Sequence, residues 1–347
     1  MNFCSDNVAG VAPEILAAIG RANEGTMSSY GGDEITARVE KRLAEIFERQ
    51  VWAFPVSTGT AANALALATL TPPYGAVYCH PEAHVMVDEC GAPEFYTGGA
   101  KIVPIAGEGG KIVAKDVAAA LDNARAGDVH HVQPAAVSLT QASECGTAYT
   151  VGEVSAIAEI ARRHKVKLHM DGARFANAVA HLKVTPADIT WKAGVDVLSF
   201  GATKNGALAA EAVVFFDAAL AESFAFRRKR AGHLISKMRF VSAQLDAYLE
   251  GDLWLKLAAH ANAQAQKLVN GLKAVPGVHL LYPVEANEIF VRLPLETVAG
   301  LRAAGFQFYD WPGAAPGTIR LVTSFATKPQ DVDAFIAKAA SLAKAAS

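Results

Sequence analysis

The sequence predicts an α/β protein, with a large domain on a mainly parallel sheet and a smaller α/β domain at the C-terminal end. Three observations point there. Short β-branched or aromatic runs alternate with Ala-rich helical stretches, the pattern of strands joined by crossover helices. At about Arg227 the texture changes: a basic stretch, RRKRAGHLISKMR, leads into a long Ala-rich helical region ending near Val275. A chain of 347 residues can bury a large core and a smaller one beside it, and the division is expected between 1–240 and 241–347.

In chain order, strands are expected at 51–56, 76–79, 101–104, 135–139, 166–170, 195–200 and 213–216, where β-branched and aromatic residues cluster. Helices are expected at 34–48, 60–69, 114–124 and 151–164 from their apolar spacing. The smaller domain reads as a strand at 288–293, a helix near 296–304, strands at 306–311 and 318–323, and a closing helix after Pro329.

Composition excludes several classes of function. The net charge of -2 leaves no basic excess to hold a phosphate backbone, so no nucleic-acid partner is expected. Cys4, Cys79, Cys90 and Cys145 form no C-x-x-C pair, which argues against a structural zinc site and a disulfide framework, and no metal is expected. The N-terminal MNFCSDNVAG has no basic region and does not read as a signal peptide. The longest apolar run, around 207–216, contains Glu211 and is too short to span a membrane. A cytoplasmic protein with reduced thiols and no membrane partner is the expectation.

In open α/β sheets, ligands bind beyond the carboxyl ends of the strands. Polar residues collect at that rim. Strand 51–56 is followed by Gly59 and Thr60 opening a helix, and strand 76–79 by His84 and Glu89. Strand 135–139 runs into Thr140, Gln141, Ser143 and Glu144; strand 166–170 ends on Asp171, with Gly172 and Arg174 after it; strand 195–200 leads to Lys204. Singly, each has an ordinary explanation. The Gly-Thr pair is either a helix start or a phosphate cradle made of unpaired amides. Asp171 is either a turn residue or a functional carboxylate. Lys204, in a segment poor in charge, is either exposed or an amine with a task. Together they are the parts a pyridoxal phosphate enzyme needs: a lysine to attach the cofactor, a carboxylate for the pyridine nitrogen, a helix terminus for the phosphate and a flat ring, His84, to stack.

Specific stretches carry a family resemblance over nearly the whole chain. HMDGARFANA at 169–178 and SFGATKNGAL at 199–208, with SDN at 5–7, YGGD at 30–33, Gly59, Thr60, Asn63, His84, Glu89 and Gly91 in order, resemble the L-threonine aldolases. That family has the aspartate-aminotransferase-like fold, fold type I of pyridoxal phosphate enzymes. The resemblance implies retro-aldol cleavage of L-threonine, L-allo-threonine and related β-hydroxy-α-amino acids to glycine plus an aldehyde. It implies pyridoxal 5′-phosphate attached to Lys204, Asp171 at the ring nitrogen, His84 over the ring, and Gly59 and Thr60 at the phosphate. Ser5, Arg174 and Arg320 would hold the substrate carboxylate, a task suited to guanidinium forks. Arg239 or Lys229, from the basic stretch 227–239, would reach the phosphate of a neighbouring subunit in a homodimer or homotetramer.

One position departs from the family pattern: where many members carry a histidine near the substrate hydroxyl, this chain has Ser143. The hydroxyl's acid–base partner is then His84, Glu89 or an ordered water. Two rivals share parts of this pattern. Another pyridoxal phosphate lyase, β-eliminating or a phenylserine aldolase, would use the same cofactor site. A non-catalytic scaffold would not need Lys204, Asp171 and two arginines together.

Overall fold

The computed structural model describes residues 1–346. Seven strands build the larger sheet: β1 Trp52–Val56, β2 Gly75–Cys79, β3 Lys101–Pro104, β4 Gln133–Thr140, β5 Lys167–Gly172, β6 Val197–Gly201 and β7 Glu211–Phe215. All lie within two residues of their expected bounds. Their spatial order is β1-β7-β6-β5-β4-β2-β3. β3, β2, β4, β5 and β6 pair in parallel, and β7 runs antiparallel between β6 and β1. A parallel connection needs a crossover long enough for a helix, whereas an antiparallel one needs only a turn. The short link from β6 to β7 is such a turn, and it carries Lys204.

β2, β6 and β7 are buried along their full length, which is why they read as continuous apolar runs rather than alternating ones. The helix Gly59–Leu70 is apolar nearly all round and lies buried against the sheet, packed on the short helix Ala92–Thr97.

The smaller sheet contains β8 His279–Leu280, β9 Glu288–Arg292, β10 Tyr309–Asp310 and β11 Thr318–Val322, antiparallel in the order β10-β11-β9-β8. Two expectations change here. The strand expected at 306–311 shortens to Tyr309–Asp310. Phe306 and Phe308 turn into the core against Phe335, and Gln307 is taken by the N-terminal segment: its amide donates to Met1 O at 2.9 Å, and Phe3 N donates to Gln307 O at 2.8 Å. The long helical region is two helices, Arg239–Leu249 and Leu253–Leu272. They are broken where Gly251 and Asp252 take φ of 56° and 59°, left-handed values that a continuous helix cannot hold.

Most large-sheet side chains share one core, which runs on to Trp254 and Ala258; a second gathers Phe3, Leu268, Ile289, Leu321 and Phe335. The helix Leu253–Leu272 supplies residues to both. No helix among the described residues is long and apolar enough to cross a membrane.

Two glycines show how tightly the sheet rim is built. A Cβ on Gly201 would lie 2.7 Å from the carbonyl oxygens of Gly172 and Ala173, whereas one on Gly59 would meet nothing within 4 Å. Backbone cannot yield as a side chain can. Gly201→Ala should therefore cost about 1–3 kcal/mol in a urea unfolding titration, and Gly59→Ala should stay within about 0.5 kcal/mol of the parent. Equal midpoints for the two variants would contradict this account of the rim.

Candidate active site

A cavity of about 330 Å³ opens at the carboxyl ends of β5 and β6. Five of the sequence-predicted residues line it: Gly59, Thr60, His84, Asp171 and Lys204. Asn7, Asn63, Ala173, Ser199 and Glu211 lie on the same wall.

The loop after β1 supplies one end. Thr58 caps the helix Gly59–Leu70, its Oγ1 accepting from Ala61 N at 3.1 Å. Among the described residues the amides of Gly59 and Thr60 have no partner, and a Cβ on Gly59 would meet nothing within 4 Å. An anion fits such a place, because unpaired N–H groups and the helix dipole act together.

From there a buried polar chain crosses the site. Asn63 Nδ2 donates to Asp171 Oδ2 at 2.7 Å and to Glu89 Oε1 at 2.8 Å, and His84 Nδ1 meets Glu89 Oε1 at 2.9 Å. Asp171, 2% exposed at the end of β5, also accepts from Ala173 N at 3.0 Å. The hydrogen bond to Glu89 raises the pKa of His84 against the opposing effect of burial. Burial raises Glu89, with the bonds from His84 and Asn63 opposing. Among the described residues, His84 Nε2 has only a distant contact, Asp88 Oδ2 at 3.9 Å.

Lys204 sits in a single 3-10 turn, Thr203–Asn205, directly after β6. Asn205 fixes that turn by donating to Tyr248 Oη and Trp254 O, both at 2.8 Å. Among the described residues, the Lys204 ammonium makes no hydrogen bond or ion pair, although it is half-buried. Glu211, at the start of β7, accepts from Ala202 N at 2.7 Å, and burial pushes its carboxyl up to about 7.

The other expected residues lie beside the cavity rather than on its wall. Arg174 is 6% exposed and committed to two carboxylates: Nε and Nη2 donate to Asp6 at 2.8 and 3.1 Å, and Nη1 pairs with Glu288 at 3.0 Å. Burial works against the Arg174 charge, but Asp6 and Glu288 more than offset it and raise its pKa. Burial also acts to raise Asp6, yet Arg174 holds it below the usual carboxylate range. Arg320 is less committed, with Nη2 donating to Cys4 O at 3.2 Å and Nη1 3.8 Å from Glu288. Ser5 Oγ accepts from Asn7 N at 3.1 Å.

Arg239 lies against Phe240 with a long contact to Gly25 O at 3.5 Å, and Lys229 lies over the Tyr30 ring. Neither lines the cavity of this chain. Ser143 is fully buried with its hydroxyl bonded to Gly109 O and Thr147 Oγ1, both at 2.8 Å, and it too is off the wall.

Sequence reasoning missed Asp6 and Glu288 as the partners of Arg174, and read Glu211 only as a charge interrupting an apolar run. Asp6 did stand within the SDN stretch. Glu288 carried no local signal.

Comparison with known proteins gives a consistent result. The family model described as beta-eliminating lyase matches residues 2–295. The chain is 45% identical over 328 residues to the low specificity L-threonine aldolase of Pseudomonas aeruginosa, covering 94% of this chain and 93% of that protein. It is 44% identical over 326 residues to the protein of that name from a Pseudomonas species, with the same coverages. Among solved structures, the threonine aldolase of Leishmania major superposes with a TM-score of 0.93 at 30% identity, covering 99% of both chains. An aspartate aminotransferase from Rhodobacter sphaeroides superposes at 0.68 with 17% identity, covering 99% of this chain and 93% of that one. The fold is thus aspartate-aminotransferase-like, as the sequence resemblance implied.

Arg174 generates a prediction about stability. Arg174→Leu leaves Asp6 and Glu288 buried without their cation, and breaking a buried pair from one side costs about 3–5 kcal/mol. The loss should be largest near pH 7. It should shrink in acid, where the parent protein loses the contribution of Asp6 as pH falls through that group's depressed pKa. Denaturant midpoints of the two proteins at pH 7 and below about pH 3 check this, and a loss below about 1 kcal/mol at pH 7 would contradict it.

Proposed function

We infer that this chain, which belongs to the family of the low-specificity L-threonine aldolases, splits L-threonine, L-allo-threonine and related β-hydroxy-α-amino acids into glycine and an aldehyde. It is a pyridoxal phosphate-dependent lyase. The observation that carries the reading is one cavity uniting a lysine without a partner, a buried carboxylate, an imidazole and two free amides at a helix start.

Those residues fit pyridoxal 5′-phosphate. Lys204 would attach it, the amides of Gly59 and Thr60 would take its phosphate, Asp171 would face its ring nitrogen and His84 would lie over the ring. When bound, the cofactor supplies an electron sink for the pair released as the Cα–Cβ bond breaks. Asn63 and the Ala173 amide hold the Asp171 carboxylate in one orientation. Glu89 engages His84 Nδ1 and leaves Nε2 as the nitrogen that exchanges a proton with the substrate hydroxyl. Ser143 does not share that task, because its hydroxyl is committed elsewhere.

Ser5, Arg174 and Arg320 are the proposed holders of the substrate carboxylate, with Arg320 the one less tied to the protein's own acids. A homodimer or homotetramer is part of the same reading. Among the described residues the cavity wall holds no arginine, and Lys204 is its one lysine, so within this chain a phosphate at Gly59 would meet amides and hydroxyls but no arginine. A neighbour's Arg239 or Lys229 would supply the missing charge. We likewise propose the 1–240 and 241–347 division, joined through the helix Leu253–Leu272 that both cores share, and a cytoplasmic location.

The test is incubation of the purified protein with all four threonine stereoisomers. Glycine should appear from L-threonine and L-allo-threonine, with kcat/KM values within about two orders of magnitude, about 2.7 kcal/mol, since with Ser143 in place of a second imidazole His84 alone meets the hydroxyl and need not choose between its two positions. The D-isomers should yield none. Ammonia with a keto acid in place of glycine would identify a β-eliminating enzyme. Lys204→Ala should abolish turnover, and borohydride reduction of the parent should label Lys204; label on another lysine would overturn the assignment.

A further inference from the structure

We propose that Glu211 is the electrostatic partner of Lys204, a buried carboxyl group in the wall of the site whose charge sets that of the lysine amine whenever that amine stands free. The proposal rests on reading Lys204 as the lysine that carries the cofactor. It makes Glu211 a positioning residue, acting through Lys204.

The geometry begins with the turn that joins β6 to β7. Glu211 opens β7, in register with Gly201 of β6 on one side and Val56 of β1 on the other. Its Oε2 reaches back to Ala202 N at 2.7 Å, two residues before Lys204, so acid and amine are carried by the two arms of one turn. Glu211 is 6% exposed, and the little surface it keeps is wall of the cavity that Lys204 lines.

The charged and titratable groups around it are few. The turn contributes Lys204, whose charge lowers the Glu211 pKa against the larger effect of burial. The helix Arg239–Leu249 contributes Tyr248, a phenol that burial raises and that Glu211 raises further. β5 contributes Asp171, and the segment after β2 contributes His84. β1 offers Val56, and the helix Gly59–Leu70 offers Asn63, neither of them charged. Lys204 is therefore the one lysine or arginine on the wall that Glu211 shares.

A purely structural role would not require an acid. Any fixed oxygen could accept from Ala202 N, and an uncharged amide would do so without the cost of burying a carboxylate. With burial holding it at about 7, Glu211 stands between its two forms at neutral pH. The two groups make no hydrogen bond or ion pair, so the coupling acts through charge. The ionised carboxylate favours the ammonium form of Lys204, and the neutral carboxyl favours the free amine, the form able to attack.

The experiment is competitive labelling of the full-length, cofactor-free protein with acetic anhydride across pH 5 to 11, with Lys204 read by peptide mass spectrometry. In the parent, labelling should follow two inflections, one near pH 7 as Glu211 ionises and a second at the amine's own pKa. Glu211→Gln should keep the acceptor for Ala202 N, remove the first inflection, and raise the labelling of Lys204 above pH 7 about tenfold. Superposable curves for the two proteins would overturn the proposal and leave Glu211 an anchor for the turn. If the variant does not fold, the parent decides alone: a single inflection at Lys204 overturns it. Aldol cleavage is not measured here, so a protein that releases no glycine but shows both inflections supports the role of Glu211 while refuting the substrate reading.

Discussion

The guanidinium of Arg174 is the contact on which the geometry of the site depends. It leaves the chain just after β5, takes Asp6 from the N-terminal segment and takes Glu288 from β9 of the smaller sheet. Three stretches far apart in sequence therefore meet at one buried cation. Asn287 adds a second tie, donating from Nδ2 to Asp6 Oδ2 at 3.1 Å and to Thr323 O at 2.6 Å. Removing ions from water is expensive, and a buried pair is secure only when its remaining hydrogen-bonding positions are filled. Here two carboxylates share one guanidinium. The strain of that ratio falls on Glu288, which burial pushes up to about 7 while Arg174 opposes. The return is placement. Asp6 is locked, so Ser5 and Asn7 on either side of it are held at the site, and Asn7 becomes part of the cavity wall.

A second constraint fixes the opposite wall. β5 and β6 end side by side, and Gly172 and Gly201 let the chain fold over at their carboxyl ends without a Cβ in the way. That close approach sets Asp171 and Lys204 on adjacent strand ends of the rim, so their relative position is set by sheet geometry and not by loop conformation. Asn63 then carries the constraint outward to Glu89 and His84. Rigid elements hold these groups, which is how a site would keep its geometry through a reaction.

The parts of this arrangement that the sequence made legible are those with a local cause. Strands β2, β6 and β7 announced themselves because burial on both faces demands a largely apolar run, the others by their β-branched and aromatic residues, and the polar residues at 59–60, 84, 171 and 204 fell where such runs stop. Legibility failed where the cause was distant. Residues 306–308 look like strand by composition, but two of their rings are needed under Phe335 and Gln307 is claimed by the N-terminus. The break at Gly251 and Asp252 lay inside an Ala-rich helical stretch whose overall periodicity outweighed one Glu-Gly-Asp. Arg174 could be singled out by motif, yet its partners lie 168 and 114 residues away in sequence, and nothing local distinguishes Glu288 from a surface acid on a strand. Glu211 was visible only as an acid out of place among apolar neighbours. An acid in a buried run is itself the signal, because only a fixed partner or a function keeps one there.

The balance of charge around the cavity gives these placements one physical sense. Asp6, Glu89, Asp171, Glu211 and Glu288 are all buried within or beside the site. Against them stand the buried Arg174 and the half-buried Lys204 and Arg320. Acids outnumber cations, and low polarisability makes that excess costly. The site relieves it unevenly. Asp6 is held ionised by Arg174, while burial pushes Glu89, Glu211 and Glu288 toward their neutral forms. Asp171 has instead two neutral donors, Asn63 and the Ala173 amide, which orient a carboxylate without cancelling its charge. An acid held that way favours a positive group brought beside it, such as a protonated ring nitrogen, more than one already paired with an arginine could. The acids paired or neutralised at the edges therefore leave Asp171 as the carboxylate whose field would reach the centre, where the proposed reaction would place the electrons of the broken bond.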